Sequence, residues 1–179
     1  MPDVEQFEAF LLEHQDRVYA TALRLVGRAS DAEDIAQTTF LRAWERFDVL
    51  TNHPAAGAWL TTVTTNLALN HLTRHRSRWR LFSEITGAGD DRQTDFASTI
   101  AADEPEDDPL ARADEAQRLE RALRALPPHQ RVPIVLFHFD EQSYEQIATR
   151  LRVSVGKIKT DIHRGRLALR AALGSDHES

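Results

Sequence analysis

The chain has no cysteine. Disulfides, thiolate nucleophiles and Cys-ligated zinc are therefore excluded, and the composition fits a reducing cytosol. No apolar run approaches the ~18 residues of a transmembrane helix. The first residues, Met1-Pro-Asp-Val-Glu-Gln-Phe7, are acidic and lack the basic and apolar regions of a signal peptide, so a cytoplasmic location is expected. Strand-like alternation is missing too, and there is no internal repeat. What remains is a chain of 179 residues, 41% hydrophobic and 28% charged, dominated by helical periodicity. The expected fold is all-α, in one ordinary domain or two small ones.

The net charge is −6, but it is unevenly spread. Residues 83–110 carry Glu84, Asp90, Asp91, Asp95, Asp103, Glu104, Glu106, Asp107 and Asp108 against Arg92 alone. Removing that segment's −8 from the total of −6 leaves +2. Residues 71–80 hold Arg74, Arg76, Arg78 and Arg80 with His71 and His75 and no acid. Residues 150–170 hold Arg150, Arg152, Lys157, Lys159, Arg164, Arg166 and Arg170 against Asp161. Screening limits the reach of charge to ~8 Å at physiological salt, so local patches decide what binds phosphate.

The chain divides into a helical block at 1–82, an acidic stretch at 83–110 that reads as a flexible linker, and a second helical block at 111–179. In the first block, Phe7, Phe10, Leu11, Val18, Ala22 and Leu25 line one face of a helix over about 4–26, and Gly27 stops it. In the second helix, Ser30 with Glu33 has the form of a capping box. Ala32, Ile35, Ala36, Thr39, Phe40, Ala43, Trp44 and Phe47 then follow at helical spacing. Asp34, Gln37, Thr38, Leu41 and Glu45 point the other way, with Leu41 an apolar residue on a polar face. A third helix is expected from about Ala58 to Trp79, with Trp59, Val63, Leu67 and Asn70 on one side. Its polar residues are Thr61, Thr62, Thr64, Thr65 and Asn66, followed by the Arg/His tail. Amides beside arginines suit single-stranded or distorted DNA, because amides read base edges and arginines hold phosphates.

In the second block, helices are expected over about 110–126 and 128–139, separated by Pro127-Pro128 and with Pro133 inside the latter. Leu119, Ala122, Leu123 and Leu126 face inward on the first of these. Ser143 with Gln146 forms a second capping box, and Ser154 caps the next helix. That next helix buries Val155, Ile158, Ile162 and Leu169 and turns Lys157, Thr160, Asp161 and Arg164 outward, with Lys159 and His163 at the flanks. Two short helices, the second basic, joined by a tight turn are the pattern of a helix-turn-helix, whose second helix enters the major groove. DNA is thus the first candidate ligand.

These blocks resemble bacterial RNA polymerase sigma factors. The run Asp31-Ala-Glu-Asp-Ile-Ala-Gln-Thr-Thr-Phe-Leu-Arg-Ala-Trp-Glu-Arg-Phe-Asp48 is similar to the core-polymerase-binding helix of sigma region 2, and Ala58–Arg78 to the helix that recognises and melts the −10 element. Leu126-Pro-Pro-His-Gln-Arg131, Ser143-Tyr-Glu-Gln-Ile-Ala148 and Ser154-Val-Gly-Lys-Ile-Lys159 are similar to region 4, which reads the −35 element. Two regions and a linker match the extracytoplasmic-function (ECF) subclass. The resemblance implies that Asp34, Gln37, Thr38, Leu41 and Glu45 grip core polymerase. It assigns Asn66, Asn70, Arg74, Arg76 and Arg78 to the −10 element, and Lys157, Lys159, Thr160, Arg164 and Arg166 to the −35 element. Members are commonly held by an anti-sigma protein, for which Leu41 and the recognition helix are the expected contacts.

The chain departs from the family pattern at several positions. Asp161 stands where the family usually has Arg, and Glu141 and Arg152 stand at turn positions where it often has Gly. The loop before Trp59, Pro54-Ala-Ala-Gly57, lacks the usual aromatic or basic residues. A left-handed Glu141 or Arg152 costs about 1 kcal/mol each. Other function classes find little footing. His71 and His75 lie one helical turn apart but have no third ligand, so no metal is expected. No acid–base constellation is present, and neither enzymatic activity, a cofactor nor a small-molecule substrate is expected. The alternatives are a stand-alone helix-turn-helix regulator and a polymerase-binding protein without promoter activity. The acidic linker is expected to compete with DNA for the basic surfaces.

Overall fold

A computed structural model describes residues 2–74 and 109–174. These residues form helices α1 (Val4–Val26), α2 (Ala29–Glu45), α3 (Phe47–Leu50), α4 (Ala56–Arg74), α5 (Pro109–Ala125), α6 (Pro128–His138), α7 (Tyr144–Leu151) and α8 (Val155–Gly174), with no strand among them. The chain falls into two compact units, Met1–Leu81 and Phe82–Ser179. Most of the expected acidic linker lies outside the described residues. Its last two positions, Pro109 and Leu110, open α5 instead.

In the first unit α1 packs on α2 and α4, and α2 packs on α4. Asp3 caps α1, accepting the Glu5 N–H at 3.0 Å. Gly27 ends it in the left-handed region (φ 76°), returning its N–H to the Leu23 carbonyl at 2.8 Å. The α1–α2 seam is aromatic. Phe7 meets Trp44 edge-on at 4.9 Å and Phe47 at 5.1 Å, and Phe10 meets Phe47 at 5.5 Å. Such edge-to-face pairs add to the burial itself.

Two sequence expectations change here. Ser30 does not cap α2. The helix starts at Ala29, and Arg28, in the cap position, makes no side-chain cap bond. With Ser30 already inside the helix, its hydroxyl is not placed to cap. Asp31 supplies the negative charge favoured in a first turn instead. The buried stripe of α4 is also rotated. Leu60, Thr64, Thr65, Ala68 and Leu69 are buried, whereas Trp59, Val63 and Leu67 are only half-buried. Threonine is tolerable inside because its hydroxyl bonds its own helix: Thr64 Oγ1 donates to the Leu60 carbonyl at 2.7 Å, and Thr39 Oγ1 to the Ile35 carbonyl at 2.9 Å. The two hydroxyls meet at 3.3 Å across the α2–α4 seam. Short side chains there let the helices approach closely.

In the second unit α8 packs on α5, α6 and α7. Pro128 occupies the first turn of α6, where its missing N–H costs nothing, whereas Pro133 is buried inside the helix, where a proline supplies no N–H to the helical ladder. The Ser143–Gln146 capping box of α7 forms as expected, at 2.9 and 3.1 Å. Ser154 Oγ accepts the Lys157 N–H at 3.1 Å and opens α8. Glu141 (φ 53°) and Arg152 (φ 57°) are both left-handed, as their turn positions suggested. On α8, Ile158, Ile162 and Leu169 are buried and Val155 is half-buried. Gly165 faces α6 so closely that a Cβ would strike Ile134.

Arg131 is buried, and its Nη1 donates to the Leu126 carbonyl at 2.9 Å, tying α6 back to the end of α5 across the Pro-Pro turn. Burial holds its guanidinium below the usual arginine range. Arg131→Met keeps the apolar stem but leaves that carbonyl without its donor. The expected loss is about 1–3 kcal/mol of unfolding free energy, read by urea denaturation.

Candidate nucleic-acid and protein interfaces

On α2, Asp34, Gln37, Leu41 and Glu45 are exposed on one face, and Leu41 is 62% exposed. Thr38 is half-buried on the same face, its Oγ1 donating to the Asp34 carbonyl at 2.9 Å. Leu41 is not isolated. With Phe7, Leu11, Gln37, Phe40 and Trp44 it lines an almost wholly apolar groove of about 410 Å³ between α1 and α2. Sequence reasoning assigned Phe7, Leu11, Phe40 and Trp44 to the core and missed their second role. The available signal was an exposed leucine beside Phe40 and one turn from Trp44.

On α4, Asn66 and Asn70 are exposed one turn apart, and Arg74 is exposed a further turn along. Arg76 and Arg78 lie outside the described residues, as does His75. His71 turns back to α2, its Nε2 3.3 Å from Asp31. That contact ties the end of α4 to the start of α2. Among the described residues no group of His, Asp and Glu is placed to hold a metal ion.

On α8, each residue advances roughly 100° around the axis, so Lys157, Thr160 and Arg164 share one face. Arg164 is exposed, and Lys157 and Thr160 are partly so. Lys159 and Arg166 fall on a different side. Lys159 is exposed, but Arg166 is held against α6. Its Nε donates to His138 Nε2 at 3.3 Å, with Nη2 at 3.1 Å from the same atom. Its guanidinium lies 5.5 Å from the Phe137 ring centre, and Phe137 stacks on Tyr144 at 4.8 Å. Burial, and then Arg166, hold the His138 ring below the usual histidine range, which suits it as an acceptor.

Asp161 corrects the expectation of an outward-facing acid. It is only 4% exposed, and its Oδ2 holds the Lys157 ammonium at 2.8 Å. At roughly 40° from Lys157 around the helix, it sits on the shoulder of the buried Ile158–Gly165 stripe. His129, also buried, lies within the field of this pair.

Burial pushes the His129 ring below its usual pKa of 6.5. Asp161 partly opposes the shift, while Lys157 and Arg164 add to it. Because the unfolded chain then binds the proton more tightly, the stabilisation is present above pH 6.5 and lost as pH falls through the folded value. Unfolding free energy should therefore decline on acidification below neutrality. His129→Gln should flatten that decline, as measured by urea denaturation at a series of pH values.

Two family descriptions match these same segments: Sigma-70 region 2 over residues 10–78, and Sigma-70, region 4 over residues 116–169. The ECF RNA polymerase sigma factor SigW of Bacillus subtilis (strain 168) is 30% identical over 96% of this chain and 90% of its own length. SigL of Mycobacterium tuberculosis (strain CDC 1551 / Oshkosh), another ECF sigma factor, is 35% identical over 90% of this chain and 85% of its own. Among solved structures, the sigma factor RpoE of Bartonella quintana, crystallised with the anti-sigma factor NepR, is 27% identical. It covers 97% of this chain and 99% of its own, with a TM-score of 0.49. The chain belongs to the ECF RNA polymerase sigma factors. Its function is that family's: with core RNA polymerase it directs promoter-specific transcription initiation.

Proposed function

We propose that residues 1–82 act as region 2 and residues 111–179 as region 4. In this reading Asp34, Gln37, Thr38, Leu41 and Glu45 seat on core polymerase, with the Phe7–Trp44 groove receiving an apolar side chain from the partner. Asn66 and Asn70 read −10 bases as they leave the stack, and Arg74, with Arg76 and Arg78, holds the strand's phosphates. Extruding a base costs a few kcal/mol, so cations must hold the backbone while an amide reads the base. Lys157, Thr160 and Arg164 read the −35 element, and Lys159 contacts phosphate at the flank. Arg166 belongs with the structural contacts of α6 more than with the groove.

The observation that carries the polymerase assignment is Leu41, 62% exposed beside an apolar groove on an otherwise polar face. A solvated helix face has no use for that arrangement, whereas a protein partner does. The chain acts by binding, without catalysis of its own, and works in the cytoplasm beside polymerase. No helix among the described residues is long and apolar enough to cross a membrane. An anti-sigma protein is a further proposed partner, competing for the Leu41 face and the outer face of α8.

The decisive experiment is run-off transcription by purified core polymerase, with and without this protein, on genomic fragments that include the DNA upstream of its own gene. New, specific start sites are expected. Polymerase binding without transcripts would favour an inactive interaction protein, and neither would favour a stand-alone regulator. Leu41→Arg should weaken polymerase binding at unchanged thermal stability. Equal affinity would mean that the wrong surface has been chosen. Arg164→Ala should weaken −35 binding by about 1–3 kcal/mol if it contacts a base, measured on duplexes carrying the mapped element.

A further inference from the structure

The Lys157–Asp161 pair lies on the helix face assigned above to the −35 element, and it changes what that lysine can do. A surface lysine is a mobile point charge that meets phosphate and sheds a counterion. Lys157 is instead tied down, and its charge is offset by Asp161. Its backbone N–H is fixed by Ser154 Oγ at 3.1 Å, and its ammonium is fixed by Asp161 Oδ2 at 2.8 Å. The carboxylate is itself nearly covered, its side chain 6% exposed against 23% for the lysine. It is therefore too deep to meet DNA directly, whereas the lysine is partly exposed. An ammonium carries three N–H donors, and one is spent on Asp161. The other two remain available to a ligand.

We propose that Asp161 is a positioning residue that makes Lys157 a directed hydrogen-bond donor to base edges in the major groove, in place of a phosphate contact. The acceptors that fit are the N7 and O6 of a guanine or the O4 of a thymine, which a fixed ammonium can tell from the N4 amino group of cytosine. The pair carries no net charge, so it adds sequence discrimination with little salt-dependent affinity. Lys159, exposed on the same helix and assigned above to phosphate, supplies the attraction it forgoes.

This inference rests on the assignment of α8 to the −35 element, and the test separates the two. The holoenzyme, full chain with core polymerase, is titrated against its mapped promoter and against single base-pair substitutions across the upstream element, over a range of salt concentrations. If the wild-type holoenzyme shows no preference among upstream-element substitutions, the assignment of α8 fails and this inference fails with it. Given a preference, Asp161→Asn should free the ammonium. The logarithmic salt slope should then steepen by about 0.9, and discrimination at one base pair should fall about tenfold. An unchanged slope and unchanged discrimination in folded Asp161→Asn would overturn the proposal and leave Asp161 a structural residue.

Lys157→Gln tests the same idea without disturbing the buried acid. The expected result is lost discrimination at that same base pair with the salt slope unchanged. A slope shallower by about 0.9 with discrimination intact would show an ordinary phosphate contact and overturn the proposal.

Discussion

The close approach of α8 to α6 at Gly165 is the constraint on which the second unit depends. A side chain at position 165 would meet the end of the Ile134 side chain, so this face of α8 favours the residue that has none. The same packing buries Ile158, Ile162 and Leu169. It fixes Lys157, Thr160 and Arg164 as the outward face and leaves Asp161 at the shoulder, where a carboxylate is covered and must find a cation. The side chains that α8 presents outward are thus set by the face that it buries. Packing inside proteins is tight enough that a rotation by one residue would cost the whole stripe.

The first unit uses the same logic with different side chains. Threonines on α2 and α4 occupy the seam because their hydroxyls are satisfied within their own helices. α4 can therefore lie close to α2 without a large apolar residue between them. The consequence appears on the outer surfaces. Asn66, Asn70 and Arg74 are left exposed along α4, and the aromatic cluster of α1 and α2 reaches the surface beside Leu41.

Apart from the four-residue α3, the described helices and their order were legible in the sequence because apolar spacing, Gly27, Pro127-Pro128 and the Ser143–Gln146 box are local signals. So was the left-handed geometry of Glu141 and Arg152, once the turn positions were recognised. Three features were not. Ser30 looked like a cap, but helix initiation is decided by where Gly27 releases the chain. Thr64 and Thr65 read as polar surface, because composition cannot show that a hydroxyl will bond its own carbonyl. Asp161 read as an exposed acid, because it lies only a few tens of degrees from the buried stripe and only packing decides its side. The roles of the exposed residues came from the family resemblance, since a polar helix face by itself does not say what it meets.

The two left-handed residues have a consequence of another kind. They bracket α7: Glu141 precedes it and Arg152 follows it, and neither is a glycine. The helix between them is short, and only Ile147 and Ala148 are buried. Opening α7 would relax both strained backbones while exposing few apolar contacts. Few buried contacts keep the free energy of its local opening low. Its amide protons would exchange with solvent before those of α6 and α8. The first helix of the helix-turn-helix is thus lightly anchored, with a left-handed residue on either side of it.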